Sequence, residues 1–376
     1  MAYRLHLFPS LFFLILGLAL QIPVTRWMLA HYRRHWMVIA ASASGAMLLV
    51  LGYLFDFARV MRHFPAQAVC WVQFASLFWT VCLVGLFLGM WTWRSASEFR
   101  PERRRFLQAT GAALCVAPLA GTSFGILERD RFRVTETDVP IRDLPKALEG
   151  LRIVQITDIH LSPFLSEKEL ARAVDMANEA RASLALVTGD LITRMGDPLD
   201  ACLRQLARLR AEAGVLGCLG NHEIYTGTED YVTARGRRAG IDFLRQQARM
   251  LRFGEAAINF TGVDYQRMHS EYLAGAEQWV VPGVVNVLLS HNPDVFPVAA
   301  SQGYDLTIAG HTHGGQVNFE ILHQDMNLAR YFTPYVRGLY RAGNSSVYVS
   351  NGIGTIGVPV RVGAPPEISV LRLCAI

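Results

Sequence analysis

Four apolar runs constrain this chain before any other feature does. Residues 7–24, 36–55, 68–93 and 106–127 are long and almost free of charge, the last being the weakest. About 20 apolar residues cross a bilayer as a helix, so the runs predict four membrane spans. Trp27, Trp36, Trp91 and Trp93 lie near the run ends, where an aromatic belt would meet the membrane boundary. Pro9 and Pro23 are expected to trim the first span.

The mean hydropathy of +0.24 is high for a soluble protein, and the excess sits in the first third. Charge divides the same way. Residues 1–127 hold 11 arginines against 3 acids, while residues 128–376 hold 25 basic and 28 acidic residues. The net +5 therefore belongs to the membrane part and gives no argument for nucleic acid, which is not expected as a partner. Arg26, Arg33 and Arg34 follow the first run, and Arg94, Arg100, Arg103, Arg104 and Arg105 follow the third. Only Arg4, Arg59 and Arg62 lie on the opposite side. The positive-inside rule then places the two richer loops in the cytoplasm. Read as a multi-pass protein of a bacterial inner membrane, the chain would hold residues 128–376 on the periplasmic or extracellular side.

Arg103-Arg104-Arg105-Phe106-Leu107 reads equally as a twin-arginine export signal or as a basic flank of the fourth span. No small-x-small cleavage site follows, so the fourth span is expected to stay as an anchor. The six cysteines form no CxxC pair and read as structural thiols.

Residues 128–150 read as a connector merging into a first strand, and residues 151–376 as one α/β domain in which strands and helices alternate. Ser166 and Glu169 form a capping box. Helices are expected over residues 198–213 and 229–252, and strands over 256–262, 284–289, 304–309, 347–350 and 368–373. Six arginines between Arg235 and Arg252 suggest a solvated helix face, or a grip on an anionic headgroup or a second phosphate. Tyr331, Phe332, Tyr335 and Tyr340 suggest core packing, an acyl-chain groove or contact with the bilayer.

Five short apolar runs each end in a polar cluster. Asp158-Ile159-His160, Gly189-Asp190, Gly220-Asn221-His222-Glu223, Ser290-His291-Asn292 and Gly310-His311-Thr312-His313-Gly314-Gly315-Gln316 stand at those tips. In layered α/β folds such strand ends converge on one crevice. The ligand set Asp158, His160, Asp190, Asn221, His291, His311 and His313 is too large for one ion and suits two. Mixed oxygen and nitrogen donors without thiolate favour manganese, iron or zinc as divalent or trivalent ions. Two such ions can activate water and neutralise charge on a phosphoryl group. Glu223 is expected to support the site rather than ligate.

The order DxH, GD, GNHE, H, GHTHGGQ over residues 151–376 resembles the calcineurin-like metallophosphoesterases. A narrower likeness, to membrane-associated members and transmembrane proteins with a metallophosphoesterase domain, rests on Leu151 to His160 and on Ser350 to Ile368. The resemblance implies a four-layer αββα sandwich of two sheets, here preceded by an all-α bundle of four transmembrane helices. It implies one ion on Asp158, His160, Asp190 and His313, and another on Asp190, Asn221, His291 and His311. His222 would contact the scissile phosphate or protonate the leaving group. The chain departs from the family pattern at Gln316-Val317-Asn318-Phe319, which bears on the substrate rim.

The expected activity is metal-dependent hydrolysis of a phosphate ester or pyrophosphate, the substrate being a phosphorylated small molecule or lipid, with membrane lipids as surroundings. Tethering points to a lipid-linked or cell-envelope substrate. A UDP-2,3-diacylglucosamine pyrophosphatase-type enzyme is the alternative, and would need the domain in the cytoplasm. A non-catalytic binding module would be marked by missing ligands, and none of the seven is missing.

Overall fold

The computed structural model describes residues 7–54, 64–95, 101–267, 271–321 and 324–376. It divides into two compact units, Met1–Phe124 and Gly125–Ile376. Arg4, Arg59, Arg62 and Arg100, which entered the loop-charge comparison, lie outside the described residues, as does residue 55 at the end of the second apolar run.

The first unit is built on the helices α1 (Leu7–His31), α2 (His35–Leu54), α3 (Ala66–Ser95) and α4 (Pro101–Glu128), the last continuing into the second unit. All four are long and apolar enough to cross a membrane. The first is not shortened by Pro23, contrary to the expectation, but continues to His31. In apolar surroundings a broken helix would leave backbone groups unsatisfied, so proline is tolerated there when nearby groups compensate. Polar side chains pair inside the bundle: Trp79 Nε1 donates to Gln21 Oε1 at 2.9 Å, and Thr25 Oγ1 donates to Ser42 Oγ at 2.8 Å. Such pairs hold membrane helices together where lipid supplies no hydrophobic force between them.

The second unit begins with β1 (Arg133–Ile141) and β2 (Arg152–Ile156), then α5 (Glu167–Glu179), β3 (Leu184–Thr188), α6 (Leu199–Leu206), β4 (Val215–Cys218), α7 (Asn221–Thr226) and α8 (Glu229–Arg238). Next come β5 (Ile241–Phe243), β6 (Gln247–Phe253), β7 (Ala256–Gly262), β8 (Val285–Leu289), α9 (Phe296–Gln302) and β9 (Leu306–Ala309). A hairpin, β10 (Phe319–Ile321) and β11 (Gln324–Met326), precedes β12 (Gly338–Ala342), β13 (Ser345–Val349) and β14 (Glu367–Ala375).

One six-stranded sheet has the order β1-β14-β2-β3-β4-β5 and the other β12-β13-β9-β8-β7-β6. Within them β2, β3 and β4 run parallel, as do β7, β8 and β9. Side chains alternate across each strand. Ile153, Leu184 and Leu186 join Phe260, Val287 and Ile308 in a core shared by both sheets. Val154, Ile156, Ala185 and Val187 turn the other way, onto Leu170, Val174, Leu203 and Val232 of the helices. Phe296 and Ala299 of α9 pack against the second sheet. The layers are therefore helix, sheet, sheet, helix. Strands covered on both faces read as continuous apolar runs, and β3 and β8 are buried throughout.

The capping box forms: Ser166 N donates to Glu169 Oε2 at 2.6 Å, and Glu169 N donates to Ser166 Oγ at 3.3 Å. Two helix expectations need correction. The stretch 198–213 is helical only to Leu206, because the chain must reverse into β4 through Gly214 at φ 89°. The stretch 229–252 is helical only to Arg238. Gly240, at φ 80°, ends it, and β5 and β6 follow. Of these, β6 is an edge strand, where charged side chains discourage pairing with another chain. Three of the six arginines form ion pairs: Arg245 with Asp230 and Asp264, Arg249 with Asp242 and Arg235 with Asp200.

Candidate metal centre

The candidate ligands come from strand ends of both sheets. Asp158 and His160 follow β2, Asp190 follows β3 and Asn221 follows β4. His291 follows β8, while His311 and His313 follow β9. Because the strands within each set run parallel, their ends open on one side, and the two sheets bring those ends together.

His160 Nε2 lies 3.1 Å from His313 Nε2 and 3.5 Å from Asp190 Oδ2. His313 Nε2 is 3.4 Å from Asp158 Oδ1, and His291 Nε2 is 3.1 Å from Asp190 Oδ2. Donor atoms lie within 4.8 Å of one another in each of three groups: Asp158, His160 and His313; Asp190, His291 and His311; and His160, Asp190 and His222. The third group shares His160 with the first and Asp190 with the second. Asn221 opens α7, and the backbone N–H of the next residue, His222, donates to Asp190 Oδ1 at 2.9 Å.

The chain holds these groups in strained backbone. Asp158 (φ 50°), His160 (47°), Asp190 (56°), His311 (77°) and His313 (54°) all adopt the left-handed region. That conformation is unfavourable for residues with a Cβ, and where it clusters it commonly marks a functional site. The strain is held by contacts. Asp158 Oδ1 and Oδ2 accept from His311 N at 2.9 and 3.1 Å, joining loops of the two sheets. Gly310 must lack a side chain, because a Cβ there would collide with the Asp158 carboxylate and the Thr157 hydroxyl.

Buried Glu223 is the staple of the first sheet's loops. Its carboxylate accepts from Asp190 N (2.9 Å), Leu191 N (2.8 Å) and Gly220 N (2.8 Å). Glu223→Ala would leave three backbone donors without their partner, each costing about 1–3 kcal/mol when buried. A loss of about 3 kcal/mol or more is expected, lowering the melting temperature of this unit by roughly 6–12 °C. A variant melting within about 2 °C of wild type would disprove this staple.

Electrostatics divides the imidazoles. Burial pushes His160 down to about 3 and His311 down to about 4, and holds His313 well below its usual range, so all three are neutral donors. Burial opposes charge on His291 too, but the carboxylates of Asp190 and Asp158 outweigh it and push the ring up to about 10. His291 Nδ1 lies 2.7 Å from the Thr188 carbonyl, which can only accept, so Nδ1 carries a proton and Nε2 faces the carboxylates. Burial raises Asp158 to about 6 against the pull of His291, while the imidazoles around Asp190 overcome its burial and hold it well below the usual range. Carboxylates this deep demand positive charge beside them.

The residues fit a metal. Two buried imidazole nitrogens 3.1 Å apart must share a proton or converge on a cation. Among the described residues, none donates a hydrogen bond to the buried Asn221 Oδ1. Oxygen and imidazole donors on Asp158, His160, Asp190, Asn221, His291, His311 and His313 make the mixed set that suits manganese, iron or zinc.

Some of the support was not legible in sequence. Arg361 is fully buried, and burial lowers its guanidinium to about 10. It donates to the carbonyls of Asn351 (2.8 Å), Ala364 (2.9 Å), Gly354 (3.0 Å), Gly352 (3.1 Å) and His313 (3.4 Å). It thereby ties the 351–364 loop to the histidine loop. An arginine in a Pro- and Gly-rich stretch carries no periodic signal. Gln155 was equally hidden, donating from β2 to the Ala309 carbonyl at 3.0 Å.

Residues 151–315 match the family model of the calcineurin-like phosphoesterases. The chain is 28% identical to the uncharacterized metallophosphoesterase YkuE of Bacillus subtilis, over 72% of this chain and 97% of that protein. It is 28% identical to a transmembrane protein with metallophosphoesterase domain from Danio rerio, over 90% of this chain and 74% of that protein. It is 27% identical to phosphodiesterase YaeI of Escherichia coli, over 72% of this chain and 99% of that protein.

Proposed function

The chain carries a calcineurin-like phosphoesterase domain on a membrane protein, and from that premise we propose that it is a membrane-anchored hydrolase of phosphate ester or pyrophosphate bonds that works with two metal ions. The observation behind this reading is the meeting of two carboxylates and four imidazoles from four strand ends of two different sheets, with Asp190 beside both His160 and His291. Asp158, His160, Asp190 and His313 would hold one ion, and Asp190, Asn221, His291 and His311 the other. Bound there, metal would supply the acidification of water and the neutralisation of charge on a phosphoryl group. Asp190 would serve both ions, and Asn221 would add a donor without adding charge.

His222 is half-buried at the mouth of this cluster and stands edge-on to His160, with ring centroids 4.7 Å apart. Its Nδ1 lies 2.6 Å from the Thr193 carbonyl, so that nitrogen donates and Nε2 is the one available to a substrate. Nε2 is the group to contact the phosphate or hand a proton to the leaving oxygen.

Four candidate spans would tether the domain to a membrane, which supports a lipid-linked or cell-envelope substrate. The arginine distribution supports a bacterial inner membrane with the domain on the periplasmic or extracellular side.

The purified full chain, stripped with chelator, is expected to lose hydrolysis of bis(p-nitrophenyl) phosphate or p-nitrophenyl phosphate and to regain it with Mn²⁺. Metal analysis of the active sample should return two ions per chain. Hydrolysis that survives chelation, or full activity with one ion, would refute the proposed centre. A C-terminal alkaline phosphatase fusion that stays inactive while a fluorescent-protein fusion glows would refute the orientation.

A further inference from the structure

Ordinary surface loops turn polar side chains outward and apolar ones inward. The turn that follows β11 does the reverse. Asn327 and Thr333 are buried, at 8% and 7% exposure, while Leu328, Tyr331 and Phe332 are 76%, 83% and 71% exposed. The inward groups pin the turn. Asn327 Oδ1 accepts from Arg330 N at 3.0 Å, Asn327 Nδ2 donates to Asn318 Oδ1 at 3.0 Å, and Thr333 Oγ1 donates to Asp294. The outward apolar face is therefore built rather than an accident of a loose loop. Tyr335 and Tyr340, close by in sequence, behave differently: their rings pack 5.3 Å apart, and Tyr335 lies 5.5 Å from Phe296.

The apolar face borders the candidate metal centre. One open cavity of about 1170 Å³ has His311 and His313 on its wall together with Met326, Leu328, Tyr331 and Phe332. A phosphate alone needs far less room than a cleft of this size, which suits a ligand with a substantial apolar part. Its wall combines the imidazoles of His311 and His313 with the apolar side chains of Met326, Leu328, Tyr331 and Phe332. The matching ligand has the same polarity: a phosphoester joined to a hydrocarbon chain.

Resting on the phosphoesterase reading above, we propose that the Leu328–Phe332 turn binds the hydrocarbon chain of an amphiphilic phosphoester whose phosphoryl group sits at His311 and His313. Leu328, Tyr331 and Phe332 then determine specificity for the tail rather than carry out chemistry. Water leaves their exposed faces when the chain lies against them, so affinity grows with each methylene covered.

The test uses the full chain in nanodiscs with Mn²⁺ and a series of p-nitrophenyl n-alkyl phosphates from methyl to octyl. In wild type kcat/KM is expected to rise about tenfold or more from methyl to octyl, since each fully buried methylene can contribute up to about fourfold. In the double variant Leu328→Ser with Phe332→Ser, the octyl-to-methyl ratio is expected to fall towards one. Leu328→Met with Phe332→Leu, which keeps the apolar surface, should preserve it. A series that is hydrolysed without regard to length, or a ratio equal in wild type and the serine variant, would overturn the inference alone. A length effect that vanishes in detergent and ignores the substitutions would assign the turn to the bilayer surface, and likewise overturn it. Absence of hydrolysis across the series, methyl ester included, would instead remove the phosphoesterase reading and the inference with it.

Discussion

Asp190→Ala is expected to lower kcat/KM by on the order of 10³-fold or more, and to strip bound metal from the chain in the same step. Asp190 belongs to two of the three donor groups and touches imidazoles from both sheets. Its Oδ2 lies 3.1 Å from His291 Nε2 and 3.5 Å from His160 Nε2, and its Oδ1 accepts from His222 N at 2.9 Å. Removing the carboxylate takes a donor from both halves of the centre and frees the backbone that positions His222. Asp190→Asn separates the two effects. It keeps the size of the side chain, so His222 can stay in place, but it withdraws the negative charge that draws a cation between four imidazoles. Metal analysis and hydrolysis of bis(p-nitrophenyl) phosphate on both variants would decide the matter. An alanine variant that keeps more than about a tenth of wild-type activity would show that the cluster around Asp190 is not the reacting centre.

His222→Ala should behave differently. Its expected loss is roughly 10²- to 10⁴-fold in kcat, the range for removing a positioned acid or base, with metal content held near the wild-type level. The contrast follows from the geometry. His222 Nδ1 is engaged by the Thr193 carbonyl at 2.6 Å, which leaves only Nε2 for the substrate. If Nε2 supplies a proton to the departing oxygen, esters with poor alkyl leaving groups will suffer more than p-nitrophenyl esters, whose leaving group needs no proton. An equal loss with both kinds of ester would exclude proton donation and leave phosphate contact as the role. Loss of metal together with activity would make His222 a ligand, as its presence within 4.8 Å of donor atoms of His160 and Asp190 geometrically allows.

The two units were unequally legible. The membrane helices were visible because a span is a one-dimensional property: length and composition suffice, and only the effect of Pro23 was misjudged. In the second unit, strands buried on both faces announce themselves as apolar runs, and the polar residues that end them mark where the layers open. The misread stretch 229–252 shows the limit of that signal. An arginine-rich edge strand has neither the apolar run of a central strand nor a clean alternation, so β6 looks like the continuation of α8 until its pairing with β7 is known.

Composition and residue order alone established that this chain has four segments long and apolar enough to cross a membrane, and that seven oxygen and nitrogen donors stand behind its strands. Both follow from local chemistry, the solubility of a side chain and the type of atom it offers. Only the tertiary structure decided how the donors are held and what lies beside them. The left-handed backbone of five of them, the three amides gathered by Glu223, the five carbonyls gathered by Arg361 and the outward face of Leu328, Tyr331 and Phe332 arise between distant segments. The bond from His311 to Asp158 spans 153 positions, and no periodicity or propensity carries information over such a separation. It exists because two sheets share one core, and that packing fixes their open ends against each other.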